Sequence, residues 1–220
     1  SSVDVRGPVA MSMRWWLVPL IVLLMLLVAG VDALQGTRNT GEEMTCIVGV
    51  EHRYGVMMGA DSFAGHGYKA QRTRRSKLFR VGETDIVAGI SGSFRVGNLL
   101  EYHTDIGVKR SEYESDHQYL VCEFVSELRR ALDENGALDD DGEDSTSGRA
   151  LLSYRGQLYI VDCDFQITQM SEGYVAIGSG VKYALGSLAT TDHEEAYGDS
   201  LDRVQKRVEM ALEAAELHAP

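Results

Sequence analysis

From residue 45 onward, short apolar runs alternate with polar turns. The segments TCIVGVEH (45–52), GVMMGADS (55–62), SKLFRVG (76–82) and DIVAGISGS (85–93) are rich in Val and Ile and are bounded by Gly or polar residues. That pattern predicts strands, paired as hairpins. The period then changes. In FRVGNLLEYHTDI (94–106) and QYLVCEFVSELRRALDE (118–134) apolar residues recur at three and four, with Leu120, Phe124, Val125, Leu128 and Leu132 on one face of the second. Both segments are expected as helices lying on a sheet. The order then repeats: strands in RALLSYRG, QLYIVDCD, FQITQMSEG and YVAIGSG, helices in VKYALGSLATT and LDRVQKRVEMALEAAEL. Each half thus carries a sheet and a helical layer. Burying both sheets face to face with the helices outside gives a four-layer α/β/β/α sandwich, an α+β arrangement of two antiparallel sheets.

The chain before this domain is of another kind. WWLVPLIVLLMLLVAGV, residues 15–31, is uncharged between Arg14 and Asp32 and suits a single membrane span or an uncleaved anchor. Pro19 interrupts it and the chain opens on Ser1-Ser2, so a mis-called start or translation of non-coding sequence is the competing reading. Residues 32–43, DALQGTRNTGEE, have no periodicity and read as a linker. The expected organisation is an extension over 1–43, read as an anchor, a removed propeptide or a mis-called start, and one domain over 44–220.

Composition narrows the function classes. The 220 residues suffice for one well-buried domain, and the net charge of -12 leaves no positive field to hold nucleic acid. Lys69, Arg72, Arg74, Arg75, Lys77 and Arg80 form a basic cluster that reads as a solvated turn or part of a subunit contact. Cys46, Cys122 and Cys163 form no CxxC and fit reduced, buried structural thiols. The histidines lack metal-ligand spacing, and the acidic stretch DENGALDDDGEDSTSG (133–148) fails as a calcium loop because counting back from Gly142 puts Ala137 at the first ligand position. No metal and no cofactor is expected.

The candidate chemistry starts at Thr45. Asp61 lies 16 residues on, where an apolar strand ends, and Lys77 lies 32 on, where another opens. An N-terminal Thr would supply a hydroxyl nucleophile and, in its α-amine, the base that takes the hydroxyl proton. A nearby cation favours the ionised hydroxyl and the neutral amine, and an acid holds that cation charged. Lys77 and Asp61 have the chemistry for those roles. The Gly/Ser turn in AGISGS makes the backbone N–H groups of Ser91 and Gly92 candidates for an oxyanion hole. Cys46 as the nucleophile would put both partners one residue short, so it reads as an ordinary strand residue.

The pattern TCIVGVEHRYGVMMGADS, then SKLFRV, IVAGISGS and YVAIGSGVKYALGSL, resembles the proteasome β-type threonine hydrolases, including the HslV-like peptidases, within the N-terminal nucleophile superfamily. The resemblance covers about residues 44–218. It implies Thr45 as nucleophile, Asp61 and Lys77 as its support, and Ser179 of IGSG as a hydrogen-bonding partner near the α-amine. It further implies a peptide or unfolded polypeptide substrate, a ring of identical copies and an ATP-dependent unfoldase as partner. Two features depart from the family. An Asp and a second Ser expected after the last long helix are missing before the chain stops at LHAP, so the C-terminus is expected to be incomplete. Met44 also stands where self-cleaving precursors have Gly, and it suits removal as an initiator. The expected function is a cytoplasmic threonine-type endopeptidase acting through Thr45. The alternatives are a silent structural subunit, or a precursor tethered by residues 15–31 that has no free amine at Thr45.

Overall fold

The computed structural model describes residues 45–66, 69–107, 113–138, 148–192 and 200–218. The apolar run, the linker, the boundary at Met44 and most of the acidic stretch lie outside them. Among the described residues the first strands are β1 (Cys46–His52) and β2 (Gly55–Ala60), which form a hairpin, followed by β3 (Phe63–His66) and β4 (Lys69–Arg72). Next come β5 (Leu78–Arg80), β6 (Val87–Gly92) and the helix α1 (Phe94–Tyr102). The second helical segment has three parts: α2 (Asp116–Tyr119), a π-type turn over Leu120–Phe124, and α3 (Val125–Glu134). The strands β7 (Gly148–Tyr154), β8 (Gln157–Val161), β9 (Ile167–Gln169) and β10 (Tyr174–Gly178) lead into α4 (Val181–Asp192) and α5 (Leu201–His218).

The expected strands and helices are present, with shifted ends. Lys77 precedes β5 rather than opening it. The helix expected over 94–106 stops at Tyr102, where His103 leaves helical geometry at φ -117° and ψ 1°. Strands β3 and β4 pair antiparallel, and β4 opens at Lys69 inside the stretch expected as a basic turn; runs of four residues are too short to register as strand in the sequence. The basic cluster is divided accordingly. Lys77 is buried, whereas Arg74, Arg75 and Arg80 are exposed.

Two sheets carry the architecture, one ordered β10-β1-β2 and the other β5-β6-β7-β8-β9, both antiparallel. Alternation along each strand divides the apolar residues among three layers. On β1, Cys46, Val48 and Val50 pack with Ala184 and Leu188 of α4 and Val204, Val208 and Ala211 of α5. Ile47, between them, points the other way, into a layer shared with Leu151, Leu158, Val175 and Ile177. The outer face of the five-stranded sheet places Ala150, Leu152, Tyr159 and Val161 against Leu99, Leu100, Phe124 and Leu132 of the helices. The layers are therefore helix, sheet, sheet, helix. Because β1 is covered on both faces, it reads in the sequence as a nearly continuous apolar run. Between the sheets the backbones come close: a Cβ at Gly49 would lie 2.6 Å from Leu158 Cδ2, and one at Gly89 3.0 Å from Ile47 Cδ1.

The π-type turn has a clear origin in the spacing. Leu120, Phe124, Leu128 and Leu132 follow one another at intervals of four, longer than the α-helical 3.6, so a regular helix would rotate them progressively off the core. One wide turn, with the Val125 N–H donating to the Leu120 carbonyl, absorbs part of that drift, and all four are buried.

Candidate active site

Strand register brings three of the expected residues to one end of the smaller sheet. Cys46 pairs with Gly178 across β1 and β10, which sets Thr45 beside Ser179. Ile47 pairs with Ala60 across β1 and β2, and the Asp61 N–H continues that ladder onto the Cys46 carbonyl at 3.0 Å. The fourth residue comes from the other sheet. Lys77 immediately precedes the edge strand β5, whose Leu78 pairs with Gly89. The site is thus formed only where the sheets meet.

There the side chains make a connected set. Lys77 Nζ donates to Thr45 Oγ1 at 3.1 Å and to Asp61 Oδ1 at 2.6 Å. Asp61 Oδ2 accepts the backbone N–H of Cys46, so one carboxylate holds both the lysine and the strand that presents Thr45. The Thr45 N–H donates to Ser179 Oγ at 3.3 Å, and the Ser179 hydroxyl lies 3.5 Å from the Thr45 carbonyl. Thr45 and Lys77 are 4% and 8% exposed, so the ammonium acts on the hydroxyl with little screening by water. A cation at that distance favours the ionised over the protonated hydroxyl.

Burial sets Cys46 apart from this chemistry. Its side chain joins the helix-facing layer, and burial first, then the Asp61 charge, raise the thiol to about 12, with Lys77 opposing. It is held as a thiol, as expected of a strand residue, whereas Cys122 and Cys163, expected to be buried as well, are exposed.

The turn at Ser91 and Gly92 is less tightly tied to the others. Both residues end β6, opposite Arg149 and Gly148 of β7, and Gly92 has φ 105° as the chain swings into α1. None of the hydrogen bonds among the described residues joins them to Thr45. One contributor escaped the sequence reading. Gly178 has φ 103°, and a Cβ there would lie 1.9 Å from the Thr45 carbonyl oxygen, so only glycine lets β10 run this close to Thr45. Its signal was the glycine immediately before Ser179 in IGSG.

The helix-sheet-sheet-helix layers, with this cluster at the junction of the sheets, define an N-terminal nucleophile hydrolase fold of the proteasome β and HslV type. The proteasome subunit family model matches residues 42–215, and the chain belongs to that family. Among solved structures, Thiobacillus denitrificans BPH in complex with epoxomicin is similar at TM-score 0.63 and 22% identity, over 79% of this chain and 91% of that one. The structure titled Thiobacillus denitrificans BPH gives TM-score 0.61 at the same identity and coverage. Eukaryotic HslV from Trypanosoma brucei gives TM-score 0.51 at 20% identity, over 77% of this chain and 89% of that one. At these identities the likeness is one of fold. No curated protein sequence matches the chain. Among the described residues no helix is long and apolar enough to cross a membrane.

Proposed function

We propose that the protein is a threonine-type endopeptidase whose nucleophile is Thr45 once that residue has become the first of the chain. The observation that carries this reading is the position of Lys77 Nζ, within hydrogen-bond distance of both Thr45 Oγ1 and Asp61 Oδ1 in a buried site. In the proposed reaction the freed α-amine takes the Thr45 hydroxyl proton, and Oγ1 attacks the substrate carbonyl carbon. The oxyanion is met by the N–H groups of Ser91 and Gly92. Collapse breaks the C–N bond, the leaving amine takes the proton from the α-ammonium, and an ester on Thr45 remains for water to hydrolyse. Ser179 orients the amine. The substrate is a peptide or unfolded polypeptide, the mature domain works in the cytoplasm as a ring of identical copies, and an ATP-dependent unfoldase is its partner; family membership supports this setting.

A second reading has its own support. Here Thr45 N is a peptide N–H that donates to Ser179, and a chain kept in that state has no terminal base. Such a protein is a silent structural subunit, or a tethered precursor if residues 15–31 are retained.

The test is translation from Met44, followed by intact mass, N-terminal sequencing, and incubation with epoxomicin and a fluorogenic peptide. Loss of Met44, an adduct on Thr45 and hydrolysis abolished by Thr45→Ala are expected. Retained Met44, or a Thr45 terminus with neither adduct nor hydrolysis, refutes the peptidase reading.

A further inference from the structure

Lys77 enters the site from the loop Thr73–Ser76, and the loop's local hydrogen bonds are modest. Arg75 N–H donates to Thr73 Oγ1 at 3.1 Å, Leu78 N–H to Ser76 Oγ at 3.0 Å, and Thr73 N–H to the Ser62 carbonyl at 2.9 Å. The longest reach is made by Arg75, two residues before Lys77. Its guanidinium donates to Asn98 Oδ1 at 3.2 Å, to the Tyr102 hydroxyl at 2.7 Å and to the Glu101 carboxylate, and it lies 5.0 Å from the Tyr102 ring centroid. All three partners sit in the last two turns of α1, the helix that starts directly after the Ser91–Gly92 turn. A cleft of about 70 Å³ between loop and helix is lined by Arg75, Lys77, Phe79, Phe94 and Glu101.

Resting on the peptidase reading for its catalytic part, we propose that Arg75 is a positioning residue that ties the Lys77 loop to α1. It would thereby set the distance between the ammonium that polarises Thr45 and the turn offered as the oxyanion hole. Arg75 and Glu101 side chains are 49% and 19% exposed, and a lone pair of that kind contributes little to stability. Here one planar fork engages three acceptors and lies 5.0 Å from a ring centroid, which constrains the loop in more than one direction. Neither end of the tether touches Thr45, so its effect would pass through Lys77.

The first arm of the test needs no catalysis. The full chain is acetylated with limiting reagent and mapped by mass spectrometry, with exposed Lys182 and Lys206 as internal references. Lys77, whose side chain is 3% exposed, should label slowest. Arg75→Ala should raise its relative labelling ~10-fold by local opening, without a change in the unfolding midpoint. Arg75→Lys, which keeps the charge but not the fork, should fall between. In the second arm, on protein with Thr45 exposed, Arg75→Ala should lower kcat ~10-fold with KM nearly constant, less than the ~100-fold that a 1 Å misplacement can cost. Lys77 labelling unchanged in Arg75→Ala overturns the tether, and increased labelling with unchanged kcat overturns its catalytic part. An inert wild type would refute the peptidase reading, and the labelling arm would still decide the tether.

Discussion

Replacing Gly178 by Ala tests the geometry of the site most directly. The added Cβ would lie 1.9 Å from the Thr45 carbonyl oxygen and 2.7 Å from its carbonyl carbon, both backbone atoms with no rotamer to change. An L-residue at φ 103° is also strained, at roughly 1–3 kcal/mol. Relief requires one strand to move by about 1 Å, which separates Thr45 from Ser179 and loses hydrogen bonding of about 1 kcal/mol. We expect Gly178→Ala to lower stability by about 3–5 kcal/mol in urea unfolding followed by circular dichroism. Gly136→Ala is the control: Gly136 has φ 58° with nothing within 4 Å of its virtual Cβ, so it reports left-handed strain alone, about 1 kcal/mol. In the folded fraction of Gly178→Ala, epoxomicin should no longer label Thr45. If the two variants unfold alike and Thr45 stays reactive, the close approach of β10 to Thr45 is not what this position requires.

Lys77→Met should abolish peptide hydrolysis, by at least ~100-fold in kcat, and should cost about 3 kcal/mol in denaturant because the Asp61 carboxylate, 13% exposed, loses its cation at 2.6 Å. Wild-type stability with full activity would refute the role of the pair. Cys46 gives a pH dependence of defined sign. Its folded thiol is raised to about 12, so above the ordinary value of 9.0 the unfolded chain releases a proton that the folded chain keeps, and stability falls as pH rises. The slope from this group is at most ~1.4 kcal/mol per pH unit, and unfolding series from pH 8 to 11 should show it weakened in Cys46→Ala. Raised hydroxyls on Tyr119, Tyr154 and Tyr159 act with the same sign above their ordinary value of 10.0 in both proteins, so the difference between variants isolates the thiol. Gly49→Ala should destabilise by ~1–3 kcal/mol through its 2.6 Å contact with Leu158, and Leu158→Val in the same chain should recover part of that loss; additive effects would argue against the contact.

Much of the fold is legible in the sequence, because hydrophobic period is a local property and long elements express it strongly. β1, β7, β8 and α5 stand close to where Val, Ile, Leu and Ala spacing puts them. The short hairpin β3–β4 was missed because four-residue strands of mixed character carry too little pattern. The wide turn at Leu120–Phe124 was missed because spacing of four reads as ordinary helix.

The candidate site divides along the same line. The sequence alone determined the residue types and offsets: a Thr, an acid ending one strand, a lysine before another and a serine after a glycine. Only the tertiary structure decided that they meet. Thr45, Asp61 and Ser179 converge by pairing within one sheet, but Lys77 arrives from a second sheet, across an apolar layer whose packing around Ile47 and Leu158 no local window encodes. The need for glycine at 178 belongs to the same class, since it follows from the distance between two strands 133 residues apart in the chain and not from either strand's own sequence.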